Sequence, residues 1–344
     1  MIIRSKAPCR LELSGGGTDV PPYCDLYGGT ILNATINQYA YCSLIPRDDE
    51  EFRIKSLDYG IIANYTKQED LEFDGNLDLV KAVLRVMSKY DKYIKKGMNI
   101  ILHSDVPAGS GLGSSSTVCT ALIGAIAEYY RIPLNSYEIS ELAYHIEREE
   151  LGIKGGLQDQ YASVFGGFNL MEFGENLDVK VNPLKIKQRI LNEFHYHLVL
   201  IYTGKARFGD RILDKQIKIV EQDNKTVLKH YAKLKEIAIA MKNALIKEDL
   251  SKFPSLLDTA WMNKKEVAPT ISNAHIEKVY RTAKENGAKA GRIMGAGGGG
   301  HMLFWADYED RRQLITSLED LGCRYVPFMF DHKGLQVWWM NQNN

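Results

Sequence analysis

Apolar residues in the first 60 positions fall in runs without a helical period, so this stretch reads as strands and turns. Residues 36–45, dense in β-branched and aromatic side chains, make the plainest strand. The spacing then changes. Leu79, Val83, Leu84 and Met87 share one face of a helix predicted over about 78–90. A strand at 98–103 runs into SDVPAGSGLGSSS, and a helix of small residues is expected from Ser115 to about Tyr130. Another helix begins near Ser136, with Glu138 and Glu141 in its first turns, and stops before Gly152. A GGLQDQ turn and a short helix lead into the strand FNLMEF.

The second half alternates differently. A strand at 196–203 precedes a Lys-rich helical stretch from about 208 to 247. A helix at about 273–286 is followed by a strand at 289–294, the run GAGGGG, a strand at 301–306, a helix, and closing strands CRYVPFMF and LQVWWM. Strands joined by loops with helices on one side predict an α+β fold. At ~150 residues per domain, 344 residues make about two domains. The boundary is placed near 185, where Asn182 and Pro183 interrupt the pattern. That gives an N-terminal domain at 1–185 and a C-terminal domain at 186–344.

Composition removes several classes. Lys plus Arg and Asp plus Glu are both 43, so the chain is neutral and has no electrostatic footprint for nucleic acid or an acidic membrane surface. No apolar run approaches the ~18 residues of a membrane span, and the N-terminus lacks the regions of a secretory signal. The five cysteines (Cys9, Cys24, Cys42, Cys119, Cys323) form no CxxC pair, which predicts reduced thiols in a cytoplasm and no zinc site.

Glycine, at 29 residues, carries the chemistry. Pro107-Ala108-Gly109-Ser110-Gly111-Leu112-Gly113-Ser114-Ser115-Ser116 lies between a predicted strand and a predicted helix. Its glycines allow close backbone approach, and the helix start offers unpaired N–H groups and a positive dipole end. It reads as a phosphate cradle whose serines cap the helix or reach a metal. It is not a Walker A loop, because the chain's Gly-Lys is followed by Ala206. Gly295-Ala296-Gly297-Gly298-Gly299-Gly300 satisfies GxGxxG, yet a strand is expected after it, where a dinucleotide loop needs a helix. A glycine hairpin packed near a ligand or near the first loop is expected instead. Gly15-Gly16-Gly17-Thr18-Asp19 and Gly155-Gly156-Leu157-Gln158-Asp159-Gln160 each set an Asp beside glycines. A phosphate cradle needs such acids, one to hold Mg²⁺ and one to accept the nucleophile's proton.

Together these segments resemble the GHMP kinases, small-molecule kinases that include galactokinase, homoserine kinase and mevalonate kinase. Ala7-Pro8-Cys9-Arg10 with Ser14 to Asp19 is similar to the family's N-terminal motif, Pro107 to Ser116 to its ATP loop, and Met294 to Gly300 to its C-terminal glycine motif. The run from Gly15 to Gly29, the segment GIKGGLQDQYASVFGG and the stretch from Tyr202 to Arg207 resemble the D-glycero-D-manno-heptose 7-phosphate kinases of that family. L-fucose-type kinases share part of this.

The resemblance implies a ribosomal-S5-like N-terminal domain, a ferredoxin-like C-terminal domain and a site between them. It implies Asp159 as catalytic base and Arg10 as the cation beside it. Pro107, Gly109, Ser110, Gly111, Leu112, Gly113, Ser114, Ser115 and Ser116 are implied at ATP. Gly295, Ala296, Gly297 and Gly298 form the glycine motif. Ser115 and Glu147 are implied at Mg²⁺; Ser114 and Ser116 compete with Ser115, and Glu149 and Glu150 with Glu147, because the spacing to Asp159 is one residue longer than in mevalonate kinases. Gly16, Gly17, Thr18, Asp19, Gly156, Thr203 and Arg207 are implied at the sugar. Lys154, Lys205 and Arg207 are candidates for a second anion. The implied partners are ATP and a sugar phosphate, with a homodimer open to the chain. The reaction would move the γ-phosphoryl group to the anomeric hydroxyl of the heptose 7-phosphate. The rivals are a kinase of a free sugar such as L-fucose and a non-catalytic sugar- and ATP-binding regulator.

Overall fold

The computed structural model describes residues 1–65, 71–90, 96–204 and 210–341. In chain order the first half comprises β1 (Ile2–Ser14), α1 (Tyr23–Tyr27), β2 (Gly29–Pro46), β3 (Phe52–Ser56), β4 (Ile61–Tyr65), α2 (Asp78–Met87), β5 (Met98–Ser104), α3 (Ser114–Tyr130), α4 (Ser136–His145), a π-helical turn (Ile146–Glu150), α5 (Gln158–Phe165), β6 (Phe168–Phe173) and β7 (Val179–Pro183). The second half comprises α6 (Gln188–His197), β8 (Leu198–Tyr202), α7 (Asp210–Glu221), α8 (Lys225–Ile246), α9 (Phe253–Val267), α10 (Ala274–Glu285), β9 (Ala288–Ile293), β10 (His301–Ala306), α11 (Tyr308–Glu319), β11 (Arg324–Tyr325) and β12 (Gln336–Met340).

Two sheets result. The first runs β12-β1-β2-β5-β3-β4, with β6 and β7 extending from β2. The 18-residue β2 pairs with β6 through residues 29–34 and with β5 through residues 40–46. The second sheet, β11-β8-β10-β9, is antiparallel. The expected boundary near 185 falls between β7 and α6. β12, however, pairs with Ile2–Lys6 of β1, so residues 336–340 of the second half lie in the first sheet. A single apolar cluster joins Leu11 and Leu13 of β1 to Leu234, Trp261 and Ile293.

β1 sets up the site. Its residues alternate faces, so Leu11 and Leu13 enter the core while Arg10 and Glu12 share the other face; all four are buried. Helix α3 is buried nearly all round, from Ser116 to Ala127, which suits its small residues.

Several elements differ from expectation. The strand expected at 196–203 begins at 198, because α6 precedes it with Ile190, Leu191 and Phe194 on its buried stripe. Helix α9 was not expected; Phe253, Leu257, Ala260, Trp261 and Lys264 form its inner face. The Lys-rich stretch is two helices, and Asn224 caps the second by accepting from Thr226 N and Val227 N. CRYVPFMF pairs as a strand only at 324–325, and Pro327 has no N–H for a ladder. No helix among the described residues is long and apolar enough to cross a membrane, and all five cysteines are buried and unpaired.

Candidate active site

β5 delivers the chain into the first glycine loop, and α3 carries it away. Gly109, Gly111 and Gly113 have φ of 70°, 81° and 79°, the left-handed region that favours glycine. No side chain caps α3, so its first N–H groups remain available to an anion. Ser110 Oγ is buried, lines the pocket and has no hydrogen-bond partner among the described residues.

The GAGGGG run is the β9–β10 hairpin and rests on this loop. A Cβ on Gly300 would stand 2.3 Å from Ser110 O, and one on Gly295 would stand 2.8 Å from Gly111 O. The hairpin also fastens the loop: His301 N donates to Ser110 O at 3.0 Å, and His301 Nδ1 lies 2.8 Å from the same oxygen. Burial pushes the His301 pKa down to about 4, so at neutral pH the ring is uncharged and its Nδ1–H donates.

Beside the loop, Asp159 sits in the first turn of α5, and a Cβ on Gly113 would stand 3.3 Å from its Cγ. Its Oδ1 accepts from Arg10 Nε at 2.8 Å and Nη2 at 2.6 Å, while Arg10 Nη1 donates to Gly111 O at 2.5 Å. Arg10 thus ties the carboxylate to the loop. Charge-assisted bonds of this fork type fix orientation as well as energy.

Glu147 reaches the loop from the other side. It accepts from Ser115 Oγ at 2.7 Å, Ser116 Oγ at 2.6 Å and Gln160 Nε2 at 2.6 Å, fully buried. The π-helical turn accounts for the spacing, since an i→i+5 turn absorbs one extra residue. Its competitors face elsewhere: Glu149 lies 2.8 Å from His145, and Glu150 pairs with Lys89 at 3.2 Å. The Ser115 hydroxyl and Glu147 carboxylate are hard oxygen donors, and both line the pocket. Such a pair suits Mg²⁺, whose remaining ligands are ordinarily phosphate oxygens and water.

Asp19 and Glu12 line the remaining wall. Asp19 accepts from Gly17 N at 3.2 Å and Gln158 N at 3.1 Å. A Cβ on Gly156 would fall 1.9 Å from its Oδ2. Burial, with Asp159 and Glu12 nearby, pushes Asp19 up to about 6. Glu12 is paired with Lys264 Nζ at 2.9 Å and with Arg292 Nη2, and accepts from Gly16 N at 3.1 Å. Burial alone would raise its pKa; Lys264 and Arg292 outweigh that and lower it to about 2.

That shift predicts a stability effect. The contribution of Glu12 is fully present above its ordinary value near 4.5 and is lost as pH falls through about 2. Glu12→Gln is expected to cost about 3 kcal/mol at pH 7 by leaving two buried cations under-compensated. Urea unfolding at pH 7, 4 and 3 should show the gap to wild type narrowing; a gap independent of pH would contradict the ion-pair account.

The predicted residues divide. Arg10, Gly17, Asp19, Gly109, Ser110, Gly111, Gly113, Ser114, Ser115, Ser116, Glu147, Gly156, Asp159, Gly295, Ala296 and Gly297 line one pocket. Others support it from behind. Thr18 Oγ1 donates to Gly15 O at 2.7 Å, and Thr203 Oγ1 to Gly300 O at 2.9 Å, so their hydroxyls are engaged by backbone. Leu112 O accepts from Arg10 N, and Gly298 N donates to Ile271 O. A Cβ on Gly16 would meet the Glu12 carboxylate at 1.9 Å. Arg207 and Lys205 lie outside the described residues. Lys154 lines the pocket mouth and is exposed.

The sequence reading passed over Lys264, Arg292 and Gln216, which arrive from α9, β9 and α7. Their signal was polarity on otherwise apolar faces. It also passed over a second cavity of about 1050 Å³, which shares Ser114 and Ser115 with the pocket and is walled by Leu77, Val80, Pro107 and Val118.

Residues 78–167 match the GHMP kinases N terminal domain and residues 241–322 the GHMP kinases C terminal domain. With the relatives that follow, these matches show that the chain belongs to the GHMP kinase family, and it is a phosphotransferase with an alcohol group as acceptor. A D-glycero-alpha-D-manno-heptose 7-phosphate kinase from Campylobacter jejuni subsp. jejuni serotype O:2 is 42% identical over 338 residues, 98% of each chain. The solved structure of a D-glycero-D-manno-heptose 1-phosphate kinase from Bacteriodes thetaiotaomicron is 38% identical, covers 99% of this chain and 100% of its own, and superposes with a TM-score of 0.85. Lactococcus lactis galactokinase, solved with galactose, shares the fold at 19% identity and a TM-score of 0.78, over 97% of this chain and 95% of its own.

Proposed function

We propose that this protein is an ATP-dependent kinase that phosphorylates the anomeric hydroxyl of D-glycero-D-manno-heptose 7-phosphate, giving heptose 1,7-bisphosphate and ADP. The observation that carries the reading is the Arg10–Asp159 pair, held at 2.6 Å beside the uncapped start of α3. The heptose comes from the two relatives of about 40% identity, whose names agree on the sugar and differ on its phosphate.

In this mechanism the N–H groups from Gly109 to Ser115 hold the β- and γ-phosphates, and the cavity beside Pro107 takes the nucleoside. Ser115 and Glu147 would hold Mg²⁺, which neutralises phosphate charge when bound. Asp159 accepts the proton of the anomeric hydroxyl as its oxygen bonds to the γ-phosphorus and the bond to the ADP oxygen breaks. Arg10 orients the Asp159 carboxylate and balances charge as it spreads over the transferring group. Asp19 hydrogen-bonds a sugar hydroxyl, and Lys154 is the described cation available to the 7-phosphate.

The test is ADP release with Mg-ATP against D-glycero-D-manno-heptose 7-phosphate, L-fucose, galactose, mannose and mannose 6-phosphate. Turnover confined to the heptose phosphate is expected. Turnover only on a free sugar would overturn the substrate and retain the kinase.

A further inference from the structure

We propose that Lys264 is a sugar-positioning residue, its ammonium anchored on Glu12 and donating to a hydroxyl of the acceptor in the pocket that Asp19 and Asp159 also line. The inference rests on the kinase reading above and adds a residue to it.

Lys264 comes from α9 and Glu12 from β1, 252 positions apart in the chain. Lys264 Nζ lies 2.9 and 3.2 Å from the two Glu12 oxygens, with side-chain exposures of 4% and 1%. A lysine buried to this degree is rare without a pair, but the pair here is unbalanced. Arg292, wholly buried, contacts the same carboxylate and donates to Leu13 O at 2.6 Å. Two cations therefore share one anion, and Arg292 by itself already ties β9 to β1. Lys264 differs from Arg292 in lining the pocket. An ammonium has three donors, and the described hydrogen bonds of Lys264 Nζ all go to one carboxylate.

The geometry selects the ligand chemistry. Glu12 accepts from Gly16 N and Asp19 from Gly17 N, so the two carboxylates flank one turn. A phosphate dianion there would meet two carboxylates at close range. Sugar hydroxyls accept from an ammonium and donate to a carboxylate, which matches a wall that offers both. The pKa of Lys264, lowered to about 8 by burial and by Arg292 against the pull of Glu12, leaves it largely protonated at neutral pH.

The experiment compares wild type with Lys264→Met and Lys264→Gln, measuring KM for sugar, KM for ATP, kcat and Tm on each sugar that wild type turns over. Gln is included because it still donates to Glu12 if Met compromises folding. The expected result is a sugar KM raised by about tenfold or more, the loss of a bond to a charged donor, with the ATP KM changed less than about twofold. A deoxy analogue lacking the bonded hydroxyl should bind wild type and variant equally. An unchanged sugar KM would overturn the proposal. So would equal rises in both KM values alongside a lower Tm, or a deoxy analogue that still binds the variant more weakly than wild type. Wild-type failure on the heptose phosphate alone sinks only the substrate reading; failure on every acceptor sinks both.

Discussion

Asp159→Asn is expected to lower kcat by about 10³-fold, within the usual range for removing a positioned general base. The substitution keeps the side-chain shape, and the Asn oxygen can still accept from Arg10 Nε, now at 2.8 Å from Asp159 Oδ1. It removes the negative charge that takes up the proton in the proposed mechanism. The KM for ATP should stay within about twofold, because the phosphate-facing amides lie on a different element, at the start of α3. Thermal stability should drop, since Arg10 is only 5% exposed and loses its counter-charge. Steady-state kinetics with circular dichroism separates the effects: native ellipticity with a thousandfold slower turnover is the expected pair. A kcat near wild type would remove Asp159 from the proton path.

The second large effect is at a residue with no side chain. Gly300→Ala puts a Cβ 2.3 Å from Ser110 O and 2.7 Å from its carbonyl carbon, at a φ of +89°. Both neighbours are backbone, so the clash cannot be relieved by a rotamer change. The hairpin and the phosphate-facing loop must separate, and the His301 bonds to Ser110 O lengthen with them. A shift of this size in a positioning loop is worth about 100-fold in kcat/KM for ATP, with about 2 kcal/mol lost from stability. Gly152→Ala is a fair control for backbone strain alone, because its φ is +65°, nothing lies within 4 Å of the added Cβ, and it lines neither cavity. If the two variants behave alike in kcat/KM for ATP, the loop-to-loop contact is not what supports nucleotide binding.

The glycine loops were legible because they are local. Gly109 to Ser116 sits between a strand and a helix in the sequence as in the fold, and HMLFWA after GAGGGG marks a hairpin by its strand pattern. Glu147 was legible as an acid near the site but not as the one acid turned inward. That choice depends on the π-helical turn, whose single extra residue has no compositional mark. Helices α6 and α9 were hidden in runs where buried and polar residues mix, and α9 carries its lysine on the face that packs inward.

The sequence by itself therefore determined the short-range parts: which loops have glycine where only glycine fits, and which strand carries Arg10 and Glu12 two residues apart. Backbone sterics and side-chain period act over a few residues, so these features can be read in place. The tertiary structure alone decided the long-range pairings: Arg10 with Asp159 across 149 positions, Lys264 and Arg292 with Glu12 across 252 and 280, and β12 against β1. Which charge meets which depends on how buried apolar faces stack, and that energy is non-directional and spread over the whole core. A local pattern of residues holds no record of it.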